Sequence, residues 1–180
     1  MNVWIKALLA AASGLACYWI FVWADGLPVI VGWLFVYGLS GLLFAAGVLF
    51  PYLRRDKILP YRGLALVLVS IFSYWSALQV VMRGHLGPGT EDMLAASVVG
   101  AAIVLVGTKL IIPLQHAVRL ALLGLPAAII GGLIFAWSTD GAFPVAYMAW
   151  HMLIAAVIYS DQFDARQEQE SNQTRIERDV

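Results

Sequence analysis

Charge is scarce in this sequence. Lysine and arginine number 11, aspartate and glutamate 11, together 12% of 180 residues, and they cancel formally at pH 7. A soluble domain of this size carries roughly twice that fraction. Cysteine is nearly absent too: Cys17 is the single one, which excludes an internal disulfide and any thiolate metal cluster. No run alternates polar and apolar residues, so strands are excluded. Apart from "RRDK" at 54–57 there is no sustained basic stretch, and nothing points to nucleic acid. His85, His116 and His151 lack the spacing of metal ligands, so neither a metal nor a cofactor is expected.

What the sequence has is apolar length. Hydrophobic residues make up 62% of the chain and the mean hydropathy is +0.83. That is more apolar surface than one interior can hide, and lipid is the expected solvent. Six runs reach the roughly 20 helical residues needed to cross a hydrocarbon core of about 30 Å: Val3–Ala24, Pro28–Leu53, Arg62–Met82, Met93–Ile112, Val118–Trp137 and Ala142–Tyr159. The breaks between them ("ADGLP", "RRDKILPYR", "RGHLGPGTED", "PLQHA", "STDG") each contain Gly, Pro or charge, as turns require. In lipid the backbone must satisfy its own hydrogen bonds, so the runs should be helices. The expected fold is an all-α, compact six-helix transmembrane bundle over residues 1–160, followed by a polar tail, 161–180.

Basic residues set the expected orientation. With the N-terminus inside, Lys6, Arg54, Arg55, Lys57, Arg62, Lys109, Arg119, Arg166, Arg175 and Arg178 fall on the cytoplasmic side, and only Arg83 falls outside. Both termini are therefore expected in the cytoplasm. Asp25, Glu91, Asp92 and Asp140 fall outside, near the starts of the second, fourth and sixth runs, where the helix dipole favours carboxylates by a few tenths to about 1 kcal/mol. The opening "MNVWIKALLAAASGLAC" also has features of a signal peptide, but the run continues as "YWIFVWA" without a break, which favours a retained helix. The tail reads either as an extension of the sixth helix or as disordered chain.

Two stretches echo one another: "FVWADGLPV" at 21–29 and "FAWSTDGAFPV" at 135–145. Tryptophan at the interface, an Asp-Gly turn and a proline opening the next helix are good hairpin chemistry. The pair reads either as convergence on that chemistry or as a weak repeat of hairpins 1–2 and 5–6. Repeats in membrane proteins often flank a site.

"GLSGLLFA", Gly38 to Ala45, resembles the serine motif of rhomboid intramembrane proteases. That resemblance implies a Ser40 nucleophile paired with a histidine on the last helix of a six-helix core, here His151. Three features argue against catalysis. By the ruler of the two prolines, Ser40 and His151 differ in depth by about 7 Å of helical rise, whereas a catalytic pair needs contact within about 3 Å. Ser40 sits mid-helix, where backbone N–H groups are already used. Three helices separate the two residues where the family has one, and the family's further histidines and asparagine have no counterpart. The alternative is packing: Gly38, Gly41 and Ala45 form a small-residue stripe that lets helices approach, as do Ala10/Gly14, Ala96/Gly100 and Ala127/Gly131.

His151 is the most deeply placed titratable group, and such groups in lipid are functional candidates by default. Tyr74, Ser76 and Gln79 on the third run are in position to bond it or a ligand. Trp33, Trp75 and Trp150 lie deeper than an interfacial belt explains. With Asp25 and Asp140 at the rim, they suit an aromatic cavity for a small cationic or aromatic solute. The size and helix count are similar to the substrate-capturing components of energy-coupling-factor vitamin transporters. The Ala-x-x-x-Ala pairs Ala7/Ala11 and Ala12/Ala16 match that family's docking motif, and the resemblance implies solute capture with a membrane partner. The expected function is small-solute transport, channel activity or membrane-embedded substrate binding in a bacterial inner membrane. The alternatives are an accessory protein contacting a partner through Arg54–Lys57 and the tail, with homo-oligomerisation open, and the Ser40/His151 hydrolase.

Overall fold

A computed structural model of the chain describes residues 3–24, 26–53, 60–83, 89–112, 116–138 and 142–178. Among them every regular element is helical. The first span is α1, Val3–Ala24; the second joins α2, Val29–Trp33, through a π-helical segment, Leu34–Leu39, to α3, Ser40–Leu53. The remaining spans are α4 (Pro60–Arg83), α5 (Thr90–Ile111), α6 (Ala117–Trp137) and α7 (Phe143–Arg178). Six helices are long and apolar enough to cross a membrane. The tail continues α7: half of its 36 residues lie beyond the apolar stretch that ends at Ser160.

The surface explains why lipid suits this chain. Trp4, Ile30, Leu110, Val118 and Trp137 are among the most exposed side chains, each at 73% or more. The buried set, by contrast, includes Ser13, Ser40, Ser70, Ser73, Ser97, Thr108 and His151. Polar groups inside and apolar groups outside are the arrangement hydrocarbon demands.

Each span packs on the spans before and after it, and the last closes on the first: α1 with α3, α3 with α4, α4 with α5, α5 with α6, α6 with α7, and α7 with α1. The result is a closed ring. Neighbours are antiparallel, as the α1–α7 register shows. Lys6 lies over the Tyr159 ring, Ser13 meets His151, and Gly14 faces Tyr147. One end of the ring, called near here, holds the start of α1 and the α3–α4 and α5–α6 connections. The far end holds the other three.

Lipid offers helices no hydrophobic drive to associate, so packing and interhelical hydrogen bonds hold the ring, each bond worth about 0.6 to 2 kcal/mol. They occur around its circumference. Cys17 donates to the Ser40 carbonyl (3.6 Å), Tyr159 to the Val48 carbonyl (2.8 Å), Ser73 to the Gly100 carbonyl (2.8 Å) and Ser97 to the Ala128 carbonyl (2.6 Å). Close approach does the rest. A Cβ at Gly14 would lie 2.6 Å from the Tyr147 carbonyl oxygen, and one at Gly41 would lie 2.6 Å from the Ile71 nitrogen. Gly38 has open space instead, so in "GLSG" it is the second glycine and Ala45, 3% exposed, that pack.

The connections use the expected chemistry where they are described. Leu27 N–H bonds the Ala24 carbonyl (3.1 Å) and Pro28 caps α2. Asp92, in the first turn of α5, accepts from Gly89 N–H (3.3 Å), a carboxylate at the positive end of a helix. Asp25, Asp140 and Arg54–Lys57 lie outside the described residues, as do parts of both turns that carry the sequence echo.

Candidate functional site

The centre of the ring is filled by four rings from three helices. Phe44 of α3, Tyr74 of α4, and Trp150 and His151 of α7 pack together. Phe44 stands edge-on to His151 with centroids 4.8 Å apart, and Trp150 lies 5.7 Å from Phe44 and 6.2 Å from Tyr74. His151 is 0% exposed and Phe44 1%. Edge-to-face pairs of this kind add about 0.5–1.5 kcal/mol beyond area burial.

Both imidazole nitrogens are engaged. Nδ1 lies 2.8 Å from Ser13 Oγ, and Nε2 is hydrogen-bonded to the Tyr74 hydroxyl. Ser13 spends its only hydroxyl proton on the Ala10 carbonyl, 2.8 Å away, so its oxygen can only accept from the histidine. Nδ1 therefore carries the proton, and a neutral imidazole offers Nε2 to the Tyr74 O–H. Counting protons fixes a directed chain, Tyr74 to His151 to Ser13 to the Ala10 carbonyl, which ties α4, α7 and α1 together. A second chain starts one residue away. Trp150 Nε1–H donates to Ser97 Oγ (2.9 Å), whose proton goes to the Ala128 carbonyl. It ties α7, α5 and α6 together.

Along the ring axis the polarity is one-sided. On the far side of His151, Cys17 lies within hydrogen-bond reach of Tyr74, and the rings of Tyr18 and Tyr147 are 6.2 Å apart. The Tyr37 hydroxyl and the Gln79 amide lie close to one another. Tyr37 sits in the π-helical segment, a geometry common at functional sites. On the near side the next layer is mainly apolar. None of Ala10, Ala45, Val48, Leu66, Ile154 and Ile158 is more than 3% exposed, and the buried hydroxyl of Ser70 among them is spent on the Leu66 carbonyl.

Of the residues singled out in the sequence, the fold brings His151, Trp150 and Tyr74 into one cluster. Gln79 lies beside Tyr37 on the far side, outside the cluster. Trp33 is half exposed and edge-on to Tyr37, with centroids 6.0 Å apart. Trp75 is 40% exposed and stacks on Phe72, so it faces away from His151. Ser40 is buried but is no partner of His151, whose two nitrogens are held by Ser13 and Tyr74. Ser13, Ser97, Phe44, Cys17, Tyr18, Tyr37 and Tyr147 were missed as parts of this site. Ser13 and Ser97 look like ordinary small residues in apolar runs. Tyr37 and Tyr147 look like interfacial aromatics. Only their rotation toward the axis distinguishes them.

A groove of about 400 Å³ lies elsewhere, between α5 and α6, and its lining is apolar apart from Lys109. Among the described residues no group of three or more His, Cys, Asp or Glu could hold a metal ion.

Six helices long and apolar enough to cross a membrane, with apolar side chains outside and polar ones inside, are compatible with a polytopic membrane protein. No family model, curated protein or solved structure matches the chain.

Proposed function

We propose that the chain is a membrane-embedded binding protein for a small cationic or aromatic solute. In this reading it lies in a bacterial inner membrane with both termini cytoplasmic, and its site opens at the far, external end. The observation that carries the reading is the one-sided polarity of the axis. Tyr18, Tyr37, Gln79, Tyr147, Cys17 and Tyr74 lie on the far side of His151, and a mainly apolar layer, whose Ser70 hydroxyl is spent on its own helix, fills the other. A blind site of this kind favours capture over an open channel. Tyrosine and tryptophan faces attract cations, and in this reading Glu91 and Asp92, in the first turn of α5, supply negative charge at that end. Trp33, edge-on to Tyr37, stands at its outer margin.

The test is a panel of primary, quaternary and aromatic amines added to detergent-purified protein while tryptophan fluorescence follows thermal unfolding. A stabilising solute whose effect is lost in Gln79→Leu and Tyr37→Phe supports the reading. A panel that shifts nothing counts against it.

One observation favours a second reading, the accessory role. The helical extension of α7 to Arg178 projects about 27 Å beyond the apolar span, long enough to meet a cytoplasmic partner. Truncation after Ser160 separates the two. Solute binding survives it in the first reading, and cellular function is lost with insertion intact in the second.

A further inference from the structure

Tyr74 has no proton to give to anything but His151. A phenol carries one proton and two lone pairs. Ser13 can only accept from Nδ1 of His151, so Nε2 is the acceptor and holds the Tyr74 proton. The Tyr74 oxygen therefore meets every other neighbour as an acceptor. Cys17 lies beside it but spends its own single proton on the Ser40 carbonyl, 3.6 Å away. Oxygen and sulfur thus sit together with lone pairs and no proton between them. Among the described residues no other side chain donates to the Tyr74 oxygen. An acceptor without a donor is costly in an interior of low dielectric. His151 is 0% exposed and Cys17 1%, whereas Tyr74 is only half-buried. Of the three, Tyr74 is the one that a solute can touch.

We infer, resting on the reading that the far side binds a cationic solute, that the solute donates an N–H to the Tyr74 oxygen, so that the site takes a primary or secondary ammonium over a quaternary one. The faces of Tyr18 and Tyr147 attract any cation and do not make this distinction. The bare acceptors do. A quaternary ammonium has no N–H and would set methyl groups against the oxygen, leaving it unpaired. A carboxylate would bring further lone pairs to atoms that already lack a proton. An ammonium supplies the missing donor, and a hydrogen bond from a charged group is the stronger kind.

The experiment titrates the detergent-purified full chain with benzylamine, N-methylbenzylamine, N,N-dimethylbenzylamine and benzyltrimethylammonium, reading thermal unfolding by tryptophan fluorescence. The ring is common to all four, and only the number of N–H groups changes. Benzylamine should bind roughly tenfold or more tighter than the quaternary compound, the worth of one hydrogen bond to a charged group. Tyr74→Phe, with each shift measured from its own unliganded midpoint, should erase that preference. If the variant does not fold, the order of the four compounds on the wild type decides. Equal shifts from all four would overturn this inference and leave the binding reading standing. A stronger quaternary ligand, or a preference kept in Tyr74→Phe, would overturn it as well. No shift from any of the four also overturns it, and the wider amine panel then decides whether the binding reading falls with it.

Discussion

Tyr74 and His151 meet across the centre of the ring, although α4 and α7, which carry them, are not neighbours in it. The contact spans the bundle's interior. Its loss leaves Nε2 of a fully buried ring without a donor.

Tyr74→Phe should therefore destabilise the bundle by about 1–2 kcal/mol, measured by unfolding in mixed micelles. Ser13→Ala should cost a similar amount, because it orphans Nδ1–H. The two residues hold opposite nitrogens of one ring, so the double variant should depart from additivity by 0.5 kcal/mol or more, the order seen for coupled sites. Strict additivity would mean that the chain through His151 does not act as a unit.

The two glycines of "GLSG" should behave differently. Gly41→Ala drives a methyl into the Ile71 backbone, with its Cα at 2.7 Å, and should cost about 1–3 kcal/mol by overpacking. Gly38→Ala meets open space and should change stability by less than about 0.5 kcal/mol. Equal effects would remove the packing account of this motif.

Ser40 should not act as a nucleophile. With His151 held by Ser13 and Tyr74, no base reaches its hydroxyl. Purified protein should show no Ser40-dependent labelling by a fluorophosphonate probe. Labelling that disappears in Ser40→Ala would restore the hydrolase reading.

Cys17 is 1% exposed and the single cysteine, which makes it a reporter of the fold. A maleimide should react slowly with the native protein and rapidly once it is unfolded in detergent. Fast native labelling would place the thiol on a surface, contrary to its bond to the Ser40 carbonyl.

The helices were legible because hydrophobic length and turn residues are local properties. Val3–Ala24 is the first run and the first helix alike, and the other starts and stops move by three residues or fewer, except at the tail. There hydropathy ends the span at Tyr159, but a helix needs no apolar face to continue into water, and α7 runs on to Arg178. His151 stood out by depth alone. Its partners did not, because contact between α7, α1 and α4 depends on how each helix is rotated about its axis. The runs are apolar nearly all round, so no hydrophobic stripe reveals that rotation, although the small-residue pairs Ala10/Gly14, Ala96/Gly100 and Ala127/Gly131 do fall on buried faces. The π-helical segment at Leu34–Leu39 was equally hidden, since "LFVYGL" carries no signal that separates a π turn from an α turn.

Accessibility scanning in a Cys17→Ala background tests the one-sided axis most directly. Single cysteines at Gln79 and Ile154 are challenged in oriented vesicles with a membrane-impermeant thiol reagent, from each side in turn. Position 79 should label from the far side only, and position 154 from neither. Labelling of position 154 from the near side would mean that the axis is open there, and a blind binding site would be untenable.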